Sequence, residues 1–156
     1  MYKINIIAVG NIKEKYFISA IDEYKKRLNG FCKFSIIEIE ERTPNGSADT
    51  ALKQALVLEG KDIFSKMQNA YNIALDIDGE MVNSEQFKDA IITAADKGEV
   101  NFIIGSSYGL SNEIKQKSDM RVSFGKMTLP HRLMRVVLVE QIYRAFMLHN
   151  NRSYHK

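Results

Sequence analysis

The residues best suited to chemistry sit at the very end of the chain. Arg152, Ser153, Tyr154, His155 and Lys156 place a guanidinium, a phenol, an imidazole and an ammonium within five positions. Nucleobases stack on aromatic rings, and Arg and Lys meet phosphates. Imidazole exchanges protons near neutral pH. A frayed, solvated terminus is the ordinary alternative for such a tail. The charge around it favours a partner. From Arg121 to Lys156 there are seven Lys or Arg (Arg121, Lys126, Arg132, Arg135, Arg144, Arg152, Lys156) and one acid, Glu140. Seven less one is +6, while the whole 156-residue chain is +3, so residues 1–120 carry −3. An acidic body with a basic C-terminal end points to a polyanion as partner.

A second set of candidates lies in loops that follow strand-like runs: Leu75–Gly79, Gly105–Gly109 and Phe124–Leu129. In open α/β sheets, ligands bind beyond the carboxyl ends of the strands. Glycines there let a ligand approach the backbone closely, though each is also an ordinary turn former. No P-loop and no G-x-G-x-x-G fingerprint occurs. The run Gly105-Ser106-Ser107-Tyr108-Gly109 does match the G-x-S-x-G nucleophile elbow of serine hydrolases. Asp119, with His131, His149 or His155, completes a Ser, Asp, His order. The pattern is short, and no HGGG-type oxyanion segment precedes it. Ser107 as a nucleophile is therefore the weaker reading. The single cysteine, Cys32, stands between Phe31 and Phe34 with no ligand-spaced His or Cys, so no metal site is expected. It excludes an intrachain disulfide and fits a reducing compartment.

The elements that must position these groups follow from periodicity. Strand-like runs cover residues 3–9, 33–39, 71–77, 100–104 and 121–124. Helical spacing links Phe17, Ala20, Ile21, Tyr24 and Leu28, with Asn29-Gly30 as the stop. It links Leu52, Leu56, Ile63 and Met67 in a second helix, with Gly60 as a weak point. Asp78-Gly79 reads as the turn closing the third strand. Asn83 and Gln86 form a capping-box pattern ahead of Phe87, Ile91 and Ala95. Ser111 caps a short helix to about residue 118, and Pro130 opens a long one over 131–149. That helix is apolar over too wide an arc for one sheet face, which predicts a second copy of the chain against it. Strands alternating with helices give an α/β class with a mostly parallel sheet flanked by helices. One domain, residues 1–156, is expected, and a chain of this size buries roughly 70% of its unfolded surface. No apolar run approaches the roughly 18 residues of a membrane span. The start, Met1-Tyr2-Lys3, leads directly into a strand. A cytoplasmic protein is the expectation.

The stretch FGKMTLPHRLMRVVLVEQIYRAF at 124–146, with the closing YHK at 154–156, resembles the RlmH family of SPOUT-class methyltransferases. So do residues 5–28, LDIDGEMVNSEQF at 75–87 and FIIGSSYGL at 102–110, so the resemblance runs end to end. One departure is visible: Ser106 stands where the family often has the second glycine of I-G-G-S-x-G. The resemblance implies a SPOUT α/β-knot fold with a C-terminal trefoil knot. It implies S-adenosylmethionine as methyl donor, contacted by Leu75, Gly105, Phe124, Gly125, Lys126, Met127, Thr128 and Leu129. It implies a homodimer acting on N3 of a pseudouridine in large-subunit (23S) ribosomal RNA, with the ribosome as partner. Candidates near the reacting base are His131, Arg132, Arg144, Tyr154 and His155. Tyr154, His155 and Arg144 are favoured as catalytic groups, and Arg132, Arg135, Arg152 and Lys156 as RNA contacts. A non-catalytic RNA-binding module of the same fold is the competing reading.

Overall fold

The computed structural model describes residues 1–156. The elements run β1 (Tyr2–Val9), α1 (Lys15–Leu28), β2 (Cys32–Ile39), α2 (Asp49–Lys66), β3 (Ala70–Met81), α3 (Ser84–Ala95), β4 (Glu99–Ile104), α4 (Asn112–Lys117), β5 (Met120–Ser123) and α5 (His131–His149). The five strands form one sheet in the order β2-β1-β4-β3-β5, with every pairing parallel. Because helices cover both faces, the inner strands are apolar almost without alternation. Ile6, Ile7, Ala8 and Val9 of β1 are all buried, as are Phe102, Ile103 and Ile104 of β4.

Two apolar layers result. On one face, Leu28 of α1, Phe87 and Ile91 of α3, and Leu138, Ile142 and Phe146 of α5 close over Ile4, Ile73 and Phe102. On the other, Ile63 of α2 and Ile114 of α4 close over Ile7, Ala74 and Ile103. Cys32 is buried in the first layer, and burial pushes its thiol up to about 12, so it acts as a small apolar side chain. The predicted capping box forms: Gln86 N–H donates to Asn83 Oδ1 at 2.8 Å, and Asn83 N–H donates to Gln86 Oε1 at 2.9 Å.

Three local expectations need correction. Asp78-Gly79 does not end β3, which continues to Met81 through an irregularity between Leu75 and Glu80 in its pairing with β5. A Cβ on Gly79 would lie 2.8 Å from the Arg121 carbonyl carbon, so this glycine serves a close backbone approach. Gly60 does not weaken α2, because its missing side chain admits Ser111 Oγ, 2.8 Å from where a Cβ would stand. Asn29 keeps a right-handed helical conformation (φ −54°), so α1 ends without a left-handed residue. Instead, Phe31 N–H donates to the Leu28 carbonyl at 2.8 Å.

Helix α5 lies between α1 and α3. Its buried arc holds Arg135, Leu138, Val139, Ile142, Ala145 and Phe146. At 100° per residue the opposite side carries Leu133, Val136, Val137, Glu140, Arg144 and Met147. All of these are partly exposed.

Candidate functional site

The carboxyl ends of β4, β3 and β5, three adjacent strands, open into one cavity of about 440 Å³. That volume suits a small-molecule ligand. Leu75–Asp78 comes from the irregular stretch in the second half of β3, Ile104–Leu110 from the end of β4, and Val122–Leu129 from the end of β5. Lys115 of α4 and His131 and Met134 of α5 complete the wall. All eight positions expected to contact a donor line this cavity: Leu75, Gly105, and the run from Phe124 through Gly125, Lys126, Met127 and Thr128 to Leu129.

The loops are held by their own backbone. Ser123 Oγ donates to the Gly125 carbonyl at 2.9 Å and accepts the Gly125 N–H at 3.2 Å. Gly125 has φ +136° and Gly109 φ +83°, conformations that favour glycine. A Cβ on Gly105 would strike the Gly109 carbonyl, so this glycine lets the loop close on itself. The close approach at Gly105 is thus to its own loop, where the sequence suggested an approach by ligand.

One carboxylate at the cavity is buried and paired. The Asp76 side chain is buried, with Lys115 Nζ at 3.7 Å and Arg121 Nη1 at 3.4 Å. His131 Nε2 is buried without a partner. Burial, and then the charge of Arg132, lowers its pKa, which keeps the imidazole neutral at neutral pH. Ser107 is exposed, and the hydroxyl engaged in this loop is that of Ser106, which accepts the Tyr108 N–H at 3.3 Å. The elbow pattern is a tight turn here, closed by Gly109 N–H donating to the Ser106 carbonyl at 2.9 Å.

The tail folds back onto α5 and is not frayed. Tyr154 packs edge-on against Tyr143, with ring centroids 5.0 Å apart, and donates to Glu140 Oε1 at 3.2 Å. Arg144 binds the same carboxylate through Nε at 3.0 Å and Nη2 at 2.6 Å. It also lies over the Tyr154 ring at 4.8 Å and meets His155 Nδ1 at 3.3 Å through Nη1. Arg can only donate, so Nδ1 accepts, and the neutral His155 ring then carries its proton on Nε2. Burial, and then the neighbouring Tyr24 and Glu140, raise the Tyr154 pKa strongly, so its phenol stays protonated and is no base. The sequence reading missed Glu140, the hub of this cluster. The signal was present: it is the sole acid of the basic end, four residues before Arg144.

The basic side chains separate into two kinds. Lys126, Arg152 and Lys156 are exposed, and Arg132 is partly exposed with its Nε donating to the Asn11 carbonyl at 2.8 Å. Arg152 also rests over the Phe31 ring at 5.2 Å. Arg135 overturns the expectation of an RNA contact. It is 3% exposed and locked to Glu38 at 2.7 Å and to the Gly10 carbonyl at 3.0 Å.

One distance decides how these parts can act. None of Glu140, Arg144, Tyr154 or His155 lines the cavity. Arg144 lies nearly three turns beyond Met134, the last cavity residue of α5, about 15 Å along the helix axis. No group of three or more His, Cys, Asp or Glu is arranged to hold a metal ion. No helix is long and apolar enough to cross a membrane.

Comparison with known proteins gives these features a family. The family model described as a predicted SPOUT methyltransferase matches residues 2–155. A ribosomal RNA large subunit methyltransferase H from Leuconostoc mesenteroides is 45% identical over 98% of this chain and 99% of its own. A protein of the same name from Listeria monocytogenes is 46% identical over the same shares. Among solved structures, a tRNA methyltransferase from Aquifex aeolicus superposes with TM-score 0.55 at 14% identity, over 91% of this chain and 69% of its own. A probable methylase family protein from Haemophilus influenzae gives 0.59 at 13%, over 98% and 70%. At such identities the structures speak for the fold.

Proposed function

The chain belongs to the SPOUT methyltransferase family, and from that membership we propose that it methylates bacterial large-subunit ribosomal RNA at N3 of a pseudouridine. S-adenosylmethionine is the donor in this reading, and its sulfonium supplies an already activated methyl group. The carrying observation is the cavity at the ends of β3, β4 and β5, framed by two folded glycine loops. Its volume and its mixed lining, apolar at Leu75 and Leu129 and charged at Asp76 and Lys115, fit such a molecule.

The protein's task is alignment and charge stabilisation. The cavity loops hold the donor side, and reacting atoms must be brought to about 3–3.5 Å. The acceptor N3 lies between two carbonyls, and loss of its proton spreads negative charge onto both oxygens. Arg144 offers a fixed cation, oriented by two bonds to Glu140. His155, with its Nδ1 facing Arg144, offers Nε2–H as a donor to one of those oxygens. Tyr154 offers an aromatic face and a protonated hydroxyl.

These groups lie too far from the cavity of their own chain to meet a methyl group held there. The proposal therefore includes a homodimer in which the tail of one copy completes the cavity of the other. The outward apolar side chains of α5, Leu133, Val136, Val137 and Met147, support that face as the contact. Two copies related by a twofold axis would bring two such sites together. Arg132, Arg152, Lys126 and Lys156 then border the RNA path. The C-terminal trefoil knot and a cytoplasmic location belong to the same proposal. The test is methyl transfer from radiolabelled donor to ribosomes of cells lacking this protein, with donor binding measured by calorimetry. Binding without transfer to RNA would contradict the substrate. No binding would leave the non-catalytic RNA-binding module.

A further inference from the structure

Behind the loop that follows β4 lies a carboxylate for which methyl transfer has no direct use. Glu59, in the middle of α2, is 2% exposed. Its Oε2 accepts the Arg42 backbone N–H at 2.8 Å, which ties α2 to the segment after β2. Its Oε1 is buried and has no hydrogen-bond partner. Burial raises the Glu59 pKa, and the Arg42 N–H and then the Ser106 hydroxyl beside the carboxylate oppose that shift, yet no full bond closes on Oε1. Ser106 is itself buried, and it belongs to the cavity wall.

The next residue fixes how closely α2 approaches. Gly60 admits Ser111 Oγ at a distance no side chain would allow, and Ser111 caps α4 by accepting the Ile114 N–H at 3.3 Å. Helix α2 therefore backs the loop at both ends, at Ser106 through Glu59 and at Ser111 through Gly60. A buried acceptor left unpaired is costly. In a native fold such an atom calls for an explanation, and a bond made only in the working state is one. The loop to which Ser106 belongs is one of the three that frame the cavity.

We propose that Glu59 is a positioning residue for the loop Gly105–Gly109. When the cavity is filled, the Ser106 hydroxyl donates to Glu59 Oε1. One carboxylate then braces the cavity wall against both α2 and the Arg42 segment. This rests on the reading of the cavity as the methyl-donor site. It assigns to Ser106, which stands where the resembling family often has glycine, a specific partner.

The experiment measures S-adenosylmethionine affinity by calorimetry and single-turnover transfer at saturating donor. It compares wild type, Ser106→Ala, Glu59→Leu, the double variant and Glu59→Gln. Ser106→Ala and Glu59→Leu should each weaken donor binding about tenfold, and the double variant no more than either alone, as for two members of one contact. The maximal rate should stay within about twofold, since the brace acts on the wall and not on the reacting atoms. Glu59→Gln should stay within about threefold in affinity, because the amide can accept from Arg42 N–H and donate to Ser106 Oγ. Unchanged affinity in Ser106→Ala, or losses that multiply in the double variant, would overturn the proposal. If Glu59→Leu does not fold, Ser106→Ala in the wild-type and Glu59→Gln backgrounds gives the same decision, with affinity loss in the wild-type background required. A wild type that binds no donor would sink the methyl-donor reading instead, which separates the two failures.

Discussion

Arg135 offers the sharpest test of how this chain divides its basic residues between fold and partner. Its guanidinium is 3% exposed, while the paired Glu38 carboxylate is 47% exposed. The two halves of the pair should therefore respond unequally. Arg135→Met keeps most of the volume and lets Glu38 return to water, but it removes the donor to the Gly10 carbonyl. It also removes the already unpaired Nε, which offsets part of the loss. The net cost is about 1–2 kcal/mol. In a chain of this size that lowers Tm by about 2–8 °C. Glu38→Ala instead strands a buried cation against one carbonyl. That costs about 3 kcal/mol, the low end for a broken buried pair because the lost partner is half in water. The expected fall is about 6–12 °C. The assay is thermal or urea denaturation at one fixed protein concentration, since a dimer couples stability to concentration. The double variant should return to the level of Arg135→Met. RNA binding by Arg135→Met, measured below its melting range, should keep the wild-type salt slope, because no phosphate contact is lost. A fall in that slope by about one, or a greater loss of stability for Arg135→Met than for Glu38→Ala, would refute the assignment.

Other outcomes follow from the same geometry. His131 is held neutral by burial, and Arg132 and Arg135 oppose its protonation while Glu41 and Glu14 favour it. Its folded pKa lies below the unfolded value near 6.5, so its stabilising contribution is full above about pH 6.5 and is lost as pH falls toward the folded value. His131→Gln should flatten that acid-side loss in a Tm-against-pH series, and an unchanged series would count against a buried neutral ring. Val137→Glu, on the outward side of α5, should convert the dimer to monomer or aggregate in sedimentation, whereas a wild type that sediments as a monomer would remove the dimer from the account. Removing Tyr154, His155 and Lys156 should abolish methylation while leaving donor affinity within about twofold, because in the proposed dimer the tail faces the RNA base and not the donor. Arg144→Ala should then lower the rate more than Arg152→Ala, since only Arg144 is oriented by Glu140.

Local physics left a clear trace of the architecture in the sequence. Alternating strand and helix periods gave the α/β class, and the Asn83–Gln86 capping box and the Pro130 start of α5 formed where their chemistry requires. The candidate segments were also legible, because ligand sites in open α/β sheets gather toward strand carboxyl ends: two are loops that follow β4 and β5, and the third, Leu75–Gly79, is the irregular stretch within β3. What depends on close approach between distant segments was not. Gly60 and Gly79 look like a helix weakness and a turn, yet each is a glycine because Ser111 or the β5 backbone passes within side-chain distance. Arg135 looks like its basic neighbours, and only its partner Glu38, far away in the chain, reveals its structural role. Glu140 was overlooked because a single acid among cations reads as solvated surface. Its meaning appears once the tail folds back and brings Tyr154 to it.

The central claim is that the tail of one copy completes the donor cavity of another. It is tested most directly by subunit complementation. One chain carries Gly105→Val, which forces the cavity loop off the Gly109 carbonyl, and the other lacks Tyr154, His155 and Lys156. Each homodimer should be inactive in transfer to ribosomal RNA. A purified heterodimer should regain about half the wild-type rate, because one of its two sites then joins an intact cavity to an intact tail across the twofold axis. A heterodimer as inactive as its parents would contradict the account, since it would place cavity and tail of the same chain in one site.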